Sequence, residues 1–549
     1  MTLEQFFAEN REVAVAFSGG VDSAYLLYAA KRYAARVKAY YVSTAFQPEF
    51  ELEDARRLAD EVGADMQVLY VDVLMSGAVV ENPPDRCYHC KNTLFRQILR
   101  AAENDGFPVL LDGTNASDDA GDRPGMRALR ELSVRSPLRE CGLTKWAVVA
   151  CDQYTSQPEY WERVDKYVGD APSTLRLILP ESKLESDNVD QEIQKINHTM
   201  EQYLADGRLQ ELEDAMLLLE RKLSNGKTRL GLLGKLDLEQ YSYEKGSGTP
   251  IRATEGTVLS RIPPRMKVRR NAPIELPHIM VLIDDPQKEI IEPLATDKAK
   301  KEMSGVYMTS LMERGGRITA HLLSKKQAEK VEDQLAALGD PQRFAETYHA
   351  EGKPVLVYAM GDGNHSLATA KACWEELKPT LSPEEQLTHP ARYALVELVN
   401  LYDDSLEFEA IHRVLFGVDP KKLMADFLAA YPGAHYGEGE GHQITYVLPG
   451  GEKGVVTVPN PTAQLEVGTL QTFLDKYLEE NGGKIDYIHG EDVVESLVSQ
   501  PDSIGFLLPS MTKDQLFPTV IFDGALPRKT FSMGEAHDKR FYMEARKIK

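Results

Sequence analysis

The amino-acid sequence predicts an α/β protein, with a doubly wound parallel sheet in its N-terminal part and a separate mixed α/β or α+β region after it. Three observations support this fold class. Apolar runs of strand length alternate with helix-forming segments up to residue 112, a glycine-containing turn joins the first strand to the first long helix, and the motifs change near residue 145. Strands that alternate with helices are typical of parallel sheets covered by helices.

Strands and helices are predicted in regular alternation along the first part of the chain. The first strand covers residues 13–17 and leads through SGGVDS into a helix at 24–30. The remaining elements are a strand at 37–44, a helix at 51–62, a strand at 66–71, a helix within 85–102 and a strand at 109–112. In such folds ligands bind beyond the carboxyl ends of the strands, so the segments that follow strands are the candidate sites.

The turn after the first strand has the chemistry of a phosphate site. Its residues are Ser18, Gly19, Gly20, Val21, Asp22 and Ser23. Two glycines let the backbone approach an anion closely, and the first amides of the next helix, with its dipole, favour negative charge. The two serines add hydroxyl donors. Asp22 is a candidate catalytic residue and Mg²⁺ ligand, although a carboxylate in the first turn of a helix is favourable without any metal.

The composition of the chain excludes several function classes. The 549 residues carry a formal net charge of −22, which argues against general affinity for nucleic acid or anionic membranes. The sequence contains no apolar run long enough for a membrane helix, and its acidic start does not have the pattern of a signal peptide. Five cysteines are too few for a disulfide framework, so we expect a cytoplasmic protein.

Polar residues after the fourth predicted strand form a second candidate group. They are Asp112, Thr114, Asn115 and Asp118. Their position could bring them to the adenosine or the metal side of a bound nucleotide, while an ordinary polar turn is the alternative. Three arginines further along are candidates for binding a substrate phosphate or carboxylate. They are Arg123, Arg127 and Arg135.

Four stretches of the first part together resemble one family. They are FSGGVDSAYLL, ENPPDRCYHCKNTLF, LLDGTNASDDAGDRPGMRALRELSVRSPLRE and GLTK. The SGGVDS turn is similar to the PP-loop of ATP pyrophosphatases, which have an adenine nucleotide alpha hydrolase-like fold. The whole set resembles the ATP-dependent sacrificial sulfur transferases (LarE type) that mature the nickel-pincer cofactor of lactate racemase.

This resemblance implies an activity and a set of cofactors. ATP would adenylate a carboxylate of a nicotinate-derived mononucleotide, pyrophosphate would leave, and a sulfur donor would then displace AMP. ATP and Mg²⁺ are the implied cofactors, and a small-molecule carboxylate is the implied partner. The SGGVDS turn would hold the pyrophosphate of ATP, and the segment from Asp112 to Arg123 would shape the rest of the nucleotide site.

Cys87 and Cys90 form a C-x-x-C pair ahead of a predicted helix. This spacing fits half of a zinc site, a redox pair or part of an iron–sulfur site, and no second pair follows nearby to complete a four-cysteine zinc site. In the resembled family, some members hold a cluster with such cysteines and a third one, whereas others use a single cysteine as the sulfur source. The family's later donor-cysteine segment is absent here. Both cysteines remain candidates for catalysis and for metal binding.

The first resemblance ends at GLTK, residues 142–145, and no linker rich in proline, glycine or serine follows it. We predict a PP-loop ATP-binding domain over residues 1–145, shorter than its family, and a second domain over 146–549, with a division near 345. A natural fusion usually passes through a flexible boundary. The chain is therefore either an unusual fusion or a chimeric gene model joined at LTK.

The second part repeats the order strand, turn and helix, at residues 355–360, 361–366 and 367–377. The candidate phosphate-binding residues of this turn are Asp362, Gly363, Asn364, His365 and Ser366. DGNHSLATAK is similar to the phosphate loop of ParB and sulfiredoxin-like folds, in which a DGxHR element meets nucleotide, although Ser366 replaces the arginine. His365 fits a general acid/base or a phosphate ligand, and a capping or core histidine equally well.

Further patterns mark the rest of the second part. Residues 187–223 are predicted to be helical, and strands are predicted at 146–150, 279–283, 504–509 and 519–524. A basic island at 252–270 could clamp a phosphate with its arginines or be a solvated loop. WAVVACDQYTSQPEYW, GDGNHSLATAK, EAIHRVLFG and PRKTFSMGEA together resemble a bacterial family known only as a domain of unknown function, which implies a fold but no reaction.

The leading interpretation is an ATP-using, adenylating enzyme fragment joined to a phosphate- or nucleotide-binding domain. In one alternative the second domain is a ligand-binding module without turnover. In another the first domain only binds ATP. We expect neither nucleic acid nor a membrane as partner, and a homo-oligomer stays open.

Overall fold

The computed structural model describes residues 2–44, 49–73, 86–115, 125–141, 157–169, 171–184, 186–312, 315–534 and 538–549. The chain forms two compact units. One comprises Met1–Ala147 and Glu162–Leu175, and the other comprises Val148–Trp161 and Arg176–Lys549. The predicted domain boundary at residue 145 and the division near 345 stay predictions.

Helices and strands alternate in the first unit. Its helices are α1 (Leu3–Glu9), α2 (Val21–Tyr33), α3 (Glu49–Val62), α4 (Arg86–Asn104), α5 (Gly125–Glu131) and α6 (Pro137–Glu140), and α7 (Pro158–Val168) comes next along the chain. Its strands are β1 (Glu12–Ala16), β2 (Arg36–Ser43), β3 (Asp65–Tyr70) and β4 (Val109–Leu111). The four predicted strands agree with these to within one residue at either end, whereas the helix predicted from residue 24 already begins at Val21.

The four strands form one parallel sheet in the order β3-β2-β1-β4. Val13 of β1 lies opposite Val37 of β2 on one side and Val109 of β4 on the other. Residues 13–15 are fully buried, as expected of a central strand that helices cover on both faces. The α/β fold class with an N-terminal parallel sheet is confirmed.

The direction in which strands are added to this sheet reverses at β1. β2 and β3 lie on one side of β1, and β4 lies on the other. In doubly wound sheets the crevice at such a reversal, outside the carboxyl ends of the strands, is where ligands bind. The turn after β1 and the segment after β4 both start at this crevice.

The second unit contains most of the helices and strands of the chain. Its helices are α8 (Val189–Ala205), α9 (Ile262–Arg270), α10 (Asp297–Lys300), α11 (Lys325–Leu338), α12 (Pro341–Tyr348), α13 (Asn364–Leu377), α14 (Pro383–Thr388), α15 (Pro420–Ala430), α16 (Glu466–Asn481), α17 (Glu491–Leu497) and α18 (Leu516–Asp523). Its strands up to residue 400 are β5 (Leu217–Lys222), β6 (Thr228–Asp237), β7 (Tyr241–Ser242), β8 (Ile251–Arg252), β9 (Ile274–Glu275), β10 (Met280–Ile283), β11 (Ser304–Ser310), β12 (Arg317–Leu322), β13 (Tyr358–Asp362) and β14 (Tyr393–Asn400). The later strands are β15 (Phe408–Ala410), β16 (His412–Phe416), β17 (His435–Tyr436), β18 (His442–Val447), β19 (Lys453–Val458), β20 (Lys484–Ile488), β21 (Ser503–Leu507), β22 (Phe531–Met533) and β23 (Arg546–Lys547).

These strands build two large sheets. A nine-stranded mixed sheet has the order β11-β12-β5-β6-β14-β10-β13-β8-β7, and a six-stranded antiparallel sheet has the order β17-β19-β18-β21-β16-β20. Short pairs join β15 to β22 and β9 to β23. The mixed α/β character predicted for the region after the N-terminal domain is confirmed.

Helix α13 is anchored in the core beside the nine-stranded sheet. Its residues Leu367, Ala370 and Trp374 are buried and pack in one hydrophobic cluster with Ile279 and Val281 near and in β10. β13, which leads into α13, pairs with β10 and β8. The turn between β13 and α13 is therefore held at both ends by buried elements.

Two predicted elements of the second unit are wrong. Of the helical segment predicted at 187–223, only α8 is a long helix, and Leu217–Lys222 form strand β5. Its leucines favour a helix, but pairing with β6 and β12 buries the start of the strand, and tertiary packing overrides the local propensity. The run at 519–524, predicted as a strand, lies in α18 and ends at Gly524, whose φ is +82°.

Over the described residues, no helix combines the length and the apolar character needed to cross a lipid bilayer. The strand predicted at 146–150 lies outside those residues.

Candidate functional site

The turn between β1 and α2 is closed by its two serines. The Ser23 hydroxyl donates to the carbonyl oxygen of Gly20 over 2.9 Å and accepts from the Ser18 amide over 3.3 Å. The two serine hydroxyl oxygens lie 3.1 Å apart, and the Gly20 amide donates to the Ser18 hydroxyl over 3.4 Å. Both serines therefore shape the turn, in addition to any contact with a ligand.

Each of the two glycines of this turn occupies a position that suits glycine for a different structural reason. Gly19 has a φ of +73°, and a Cβ atom there would lie 3.1 Å from the Cβ of Ala55 on α3. Gly20 is the N-cap of α2 and supplies no side-chain cap, so the amides of the first turn, which starts at Val21, are not covered by a capping side chain. A helix start of this kind attracts an anion.

The segment after β4 meets the start of α2. The side-chain amide of Asn115 donates to the Asp22 carboxylate over 3.2 Å. A Cβ atom at Gly113 would lie 2.9 Å from the backbone nitrogen of Ser23, so only glycine allows this approach of the two segments. The structure thus brings together two groups of predicted residues that are far apart in the sequence.

Asp112 is buried at the centre of a small polar network. Its carboxylate accepts hydrogen bonds from the hydroxyls of Thr114 (2.5 Å) and Ser136 (2.6 Å). The ammonium of Lys91, on α4, lies 3.9 Å from the same carboxylate. The sequence patterns did not identify Lys91 as a site residue. A signal was available, because Lys91 follows Cys87 by one helical turn in NPPDRCYHCK and therefore lies on the same face of α4 as Cys87.

Cys87 and Cys90 lie in the first turns of α4, and both are free thiols. Cys87 is exposed, whereas burial and the nearby Cys87 raise the pKa of the half-buried Cys90 thiol. Cys141 is half-buried at the end of α6. Among the residues that the structure describes, no three His, Cys, Asp or Glu side chains come together as a metal site. A three-cysteine cluster site is therefore not formed by the described part of the chain.

The candidate arginines of the first unit differ in their surroundings. Arg123, like Asp118, lies outside the described residues. The Arg127 guanidinium lies 3.7 Å from the centre of the Tyr88 ring. Arg135 donates to the Glu140 carboxylate over 2.9 Å, and this pairing lowers the pKa of Glu140. Arg127 and Arg135 are thus engaged by neighbouring side chains.

The turn predicted in the second unit begins at Asp362, the last residue of β13. Gly363 follows with a φ of +80°, caps α13 and donates its amide to the Asp362 carboxylate over 2.9 Å. A Cβ atom at Gly363 would lie 3.0 Å from the Cα of Ile279. The Lys539 ammonium, from near the C-terminus, lies 3.4 Å from the Asp362 carboxylate. Lys539 belongs to no pattern that points to this turn, so sequence reasoning missed it.

Asn364, His365 and Ser366 form the first turn of α13 instead of the predicted loop. The predicted helix start at residue 367 is thus wrong by three residues, because Gly363 already takes the capping position. The Asn364 side-chain oxygen is buried and accepts no hydrogen bond from any residue that the structure describes. His365 Nε2 accepts a hydrogen bond from the Val258 amide over 3.3 Å. A buried polar oxygen without a partner is costly, which makes this position a candidate ligand contact.

Most arginines of the basic island at 252–270 bind carbonyl or carboxylate groups of the protein itself. Arg252 donates to the backbone carbonyls of Thr249, Pro354 and Val355. Three further arginines have carboxylate partners: Arg265 pairs with Glu181, Arg269 with Glu275 and Arg270 with Glu376. The hypothesis of a phosphate clamp made of these arginines is therefore wrong for four of its five members, and Arg261 is exposed.

The first unit combines a parallel α/β sheet with a serine–glycine turn that is similar to a PP-loop. The family described as asparagine synthase matches residues 4–116. The family described as "Protein of unknown function (DUF1015)" matches residues 134–477. Because this second match covers more than half of the 549 residues, the chain belongs to that family. Both resemblances read from the motifs are confirmed.

Curated relatives match less than a third of the chain. The pyridinium-3,5-bisthiocarboxylic acid mononucleotide synthase of Lactiplantibacillus plantarum is 31% identical over 175 residues, which cover 29% of this chain and 63% of that protein. The uncharacterized protein slr1717 of Synechocystis is 33% identical over 163 residues, 29% of this chain and 60% of that protein. The chain thus spans about three fifths of the length of these relatives.

Solved structures show only low overall similarity. A free serine kinase in complex with AMP has a TM-score of 0.29 at 9% identity, over 56% of this chain and 90% of that one. The NMN synthetase of Francisella tularensis has a TM-score of 0.21 at 12% identity, over 39% of this chain and 95% of that one.

Proposed function

We propose that the first unit binds ATP at the turn of residues 18–23 and transfers AMP to a small-molecule carboxylate, with pyrophosphate as the leaving group. The observation that carries this proposal is the convergence of two segments at the reversal point of the sheet. There the uncapped start of α2 lies beside the polar segment after β4, joined to it by the bond between Asn115 and Asp22.

The chemistry of adenylation assigns these groups separate tasks. A carboxylate oxygen of the substrate attacks the α-phosphorus of ATP, the bond between the α-phosphorus and the bridging oxygen breaks, and pyrophosphate departs with that oxygen. The first amides of α2 and the hydroxyls of Ser18 and Ser23 would stabilise the departing charge. Asp22 would offer a carboxylate oxygen to Mg²⁺, which neutralises phosphate charge when bound. Thr114 and Asn115 would face the rest of the nucleotide.

The relatives and Lys91 support a class for this carboxylate. The Lactiplantibacillus relative is named as a synthase of a pyridinium bisthiocarboxylic acid mononucleotide, which supports a nicotinate-derived mononucleotide as substrate here. Lys91, half-buried beside Asp112, would supply a positive charge for an anionic substrate. Cys87 and Cys90 remain candidates for sulfur chemistry, but we assign them no step, because the described residues do not gather a third ligand for a cluster.

Pyrophosphate release by the full chain tests the proposal. With ATP, Mg²⁺ and a nicotinate-derived dicarboxylate mononucleotide, we expect release that depends on the carboxylate. The double variant Ser18→Ala/Ser23→Ala should lose roughly 10-fold or more of this activity, because two hydroxyl donors to a charged group are removed. Ser496→Ala, an exposed serine of the second unit, is the matched control. Release at the same rate without any carboxylate would contradict adenylation.

A second candidate function is ATP binding without turnover. The absence of the family's donor-cysteine segment favours it, because a chain that cannot complete sulfur transfer has no need to activate the acid. ATP would then bind with Mg²⁺, and no carboxylate would stimulate pyrophosphate release.

A protein that uses ATP and keeps its described cysteines as free thiols is suited to a reducing compartment, which supports a cytoplasmic location.

For the second unit we propose a phosphate or nucleotide site at the start of α13. Three observations support it: the unpartnered side-chain oxygen of Asn364, the close backbone approach at Gly363 and the ammonium of Lys539 beside Asp362. An asparagine can present either its oxygen or its NH₂ group after a half-turn of the side chain, so it can serve a phosphate oxygen.

Calorimetric titration of the full chain with ATP, ADP and CTP tests this second site. We use the Ser18→Ala/Ser23→Ala background so that binding at the first unit is weakened. The variant His365→Ala should weaken the remaining binding several-fold, since it removes the contact that orients the start of α13 against residues 253–258. His435→Ala, an exposed histidine in β17, is the control. Equal binding by His365→Ala and its parent would remove the proposed site.

A further inference from the structure

The C-terminal segment, residues 538–549, is held against the nine-stranded sheet by buried arginines. The guanidinium of Arg229 on β6 donates to the carbonyl oxygen of Asp538 over 3.0 Å, and that of Arg221 on β5 donates to the carbonyl oxygen of Lys539. Arg221 is 2% exposed and Arg229 is 4% exposed. The backbone that carries Lys539 therefore has a defined position.

The same segment reaches the start of α13. Arg540 lies 3.3 Å from a buried carboxylate of β14. Two residues further on, the Tyr542 hydroxyl shares a hydrogen bond of 3.1 Å with His278 Nδ1. The carbonyl oxygen of His278 lies beside the N-cap of α13, 3.5 Å from the position of a Cβ atom at Gly363. Contacts on both sides of Lys539 thus fix the segment beside that helix start.

The Lys539 ammonium lies next to the carboxylate at this helix start without a hydrogen bond to the nearer oxygen. Its Nζ atom is 3.4 Å from Oδ2 of Asp362, but that oxygen is buried and accepts no hydrogen bond from any residue that the structure describes. The other carboxylate oxygen accepts from the Gly363 amide over 2.9 Å. Because an ammonium carries three N–H donors, the ion pair with Oδ2 leaves donors of Lys539 for an acceptor that arrives at the start of α13.

Two consecutive cations of the C-terminal segment pair with two carboxylates in one row of the sheet. Met280 of β10 lies opposite Asp362 of β13 and Glu397 of β14. Arg540 pairs with Glu397, and their side chains are 3% and 4% exposed. Lys539 pairs with Asp362, and their side chains are 17% and 23% exposed. The first pair is therefore closed to a ligand, whereas the second is accessible to one.

We propose that Lys539 binds the phosphate at the start of α13: its ammonium donates to a non-bridging phosphate oxygen, and the Asp362 carboxylate keeps the ammonium beside the helix. This inference rests on the phosphate site proposed for the second unit and names the residue that supplies its positive charge. The first amides of α13 bind the anion from the helix side, and Lys539 binds it from the C-terminal segment. Lys539 stays protonated, and no covalent bond forms or breaks.

Calorimetric titration of the full chain with inorganic phosphate and with pyrophosphate tests the role of Lys539. The Ser18→Ala/Ser23→Ala background weakens binding at the first unit. In this background, Lys539→Met should weaken the binding of both anions roughly 10-fold or more, because one charge-assisted hydrogen bond is lost. Lys547→Met, from an exposed ion pair with Glu211 in the same segment, is the matched control and should bind both anions like its parent.

A double variant separates direct binding from charge neutralisation. If Lys539 only neutralised Asp362, removal of both charges would restore the affinity of the parent. The variant Asp362→Asn/Lys539→Met keeps a side-chain oxygen for the Gly363 amide, and it should still bind phosphate several-fold more weakly than the parent. An affinity equal to that of the parent in this double variant overturns the proposal.

The outcomes also separate the role of Lys539 from the proposed site. Phosphate binding that is equal in Lys539→Met and its parent overturns this role and leaves the site in place. No phosphate binding by the parent overturns both. If Lys539→Met fails to fold, as judged by urea unfolding, Lys539→Gln takes its place, and an affinity equal to that of the parent again overturns the proposal.

Discussion

At the residue scale, the turn between β1 and α2 shows how one short motif can serve both the folding of the turn and the binding of a phosphate. Ser18 and Ser23 bond to each other and to the backbone of the turn, and Gly19 takes a left-handed conformation against α3. The residue types needed to fold the turn are thus the same as those needed to receive a phosphate. The motif could be recognised in the sequence because both demands act on neighbouring residues.

The conformation of Gly19 gives the first prediction. Gly19→Ala should abolish ATP binding and lower stability by about 1–2 kcal/mol from the backbone alone, with a further cost because its Cβ atom would press on Ala55. Gly63→Ala is the matched control, because Gly63 has a φ of +68° and no atom within 4 Å of the added Cβ. Urea unfolding and ATP titration measure both effects. If the two variants bind ATP equally well, Gly19 has no special role in the turn.

Lys91 gives the second prediction at this scale. Lys91→Met should raise the KM for an anionic carboxylate roughly 10-fold or more, with little change in the KM for ATP, because it removes one charge-assisted contact. Lys31→Met, an exposed lysine at the end of α2, should leave both constants unchanged. An equal loss of affinity for ATP would instead place Lys91 at the nucleotide.

Residues such as Lys91 and Lys539 could not be predicted as site residues from the sequence. Each reaches its candidate site through a tertiary contact: Lys91 to Asp112, and Lys539 to Asp362. Nothing in the local pattern of charge distinguishes them from solvated side chains. The arginines of the basic island show the reverse error, since carboxylates of the protein itself pair with Arg265, Arg269 and Arg270.

At the element scale, the two candidate turns share the order strand, glycine and helix. β1 leads into α2 through Gly20, and β13 leads into α13 through Gly363. Such elements are predictable, because an apolar run, a glycine and a run of helix formers act within a few residues of one another. Strand β5 was not predictable, because its pairing with β6 and β12 overrides the helix propensity of its leucines.

The start of α13 gives a prediction for the second unit. Gly363→Ala should destabilise the chain by more than 1–2 kcal/mol and weaken phosphate binding, because it combines a φ of +80° with a Cβ atom 3.0 Å from the Cα of Ile279. Gly352→Ala is the control, with a φ of +73° and open space around its Cβ position. Equal stability and equal phosphate binding in the two variants would show that the close approach at residue 363 is not required.

At the scale of the whole molecule, the C-terminal segment ties together distant parts of the second unit. β23 pairs with β9, and Arg546 donates to the Glu275 carboxylate over 2.7 Å. Arg540, buried further upstream, lies 3.3 Å from Glu397 on β14 and donates to Glu544 over 2.7 Å. The Arg546–Glu275 pair thus links the last residues to β9, and the Arg540–Glu397 pair links them to β14 of the nine-stranded sheet. The sequence pattern does not reveal these contacts.

The pH dependence of stability tests the contribution of the ion pairs at Glu275. Burial by itself raises the pKa of the Glu275 carboxyl, but the Arg269 and Arg546 guanidinium groups more than offset this and hold the pKa below its usual value of 4.5. A carboxyl with a lowered pKa stabilises the folded state above its unfolded pKa, and this contribution is lost as the pH falls through the folded value. We therefore expect the free energy of unfolding to fall below about pH 4.5.

The variant Glu275→Gln should lose roughly 3–5 kcal/mol of its free energy of unfolding at pH 7, because it leaves buried arginine charge uncompensated. Its free energy of unfolding should also depend less on pH below pH 7. Urea unfolding at a series of pH values measures both effects. Glu376→Gln, from an exposed pair with Arg270, is the control and should change stability by less than about 1 kcal/mol. An unchanged pH dependence in Glu275→Gln would assign the acid sensitivity to other carboxyls.

The most direct test of the central claim is the exchange of labelled pyrophosphate into ATP by the full chain. The reverse of adenylation returns pyrophosphate to the acyl adenylate, so exchange reports AMP transfer whether or not any sulfur is transferred afterwards. We predict exchange that requires a nicotinate-derived carboxylate and Mg²⁺ and that falls roughly 10-fold or more in Ser18→Ala/Ser23→Ala. Tight ATP binding without any exchange, at every carboxylate tested, would contradict the claim that this turn activates an acid.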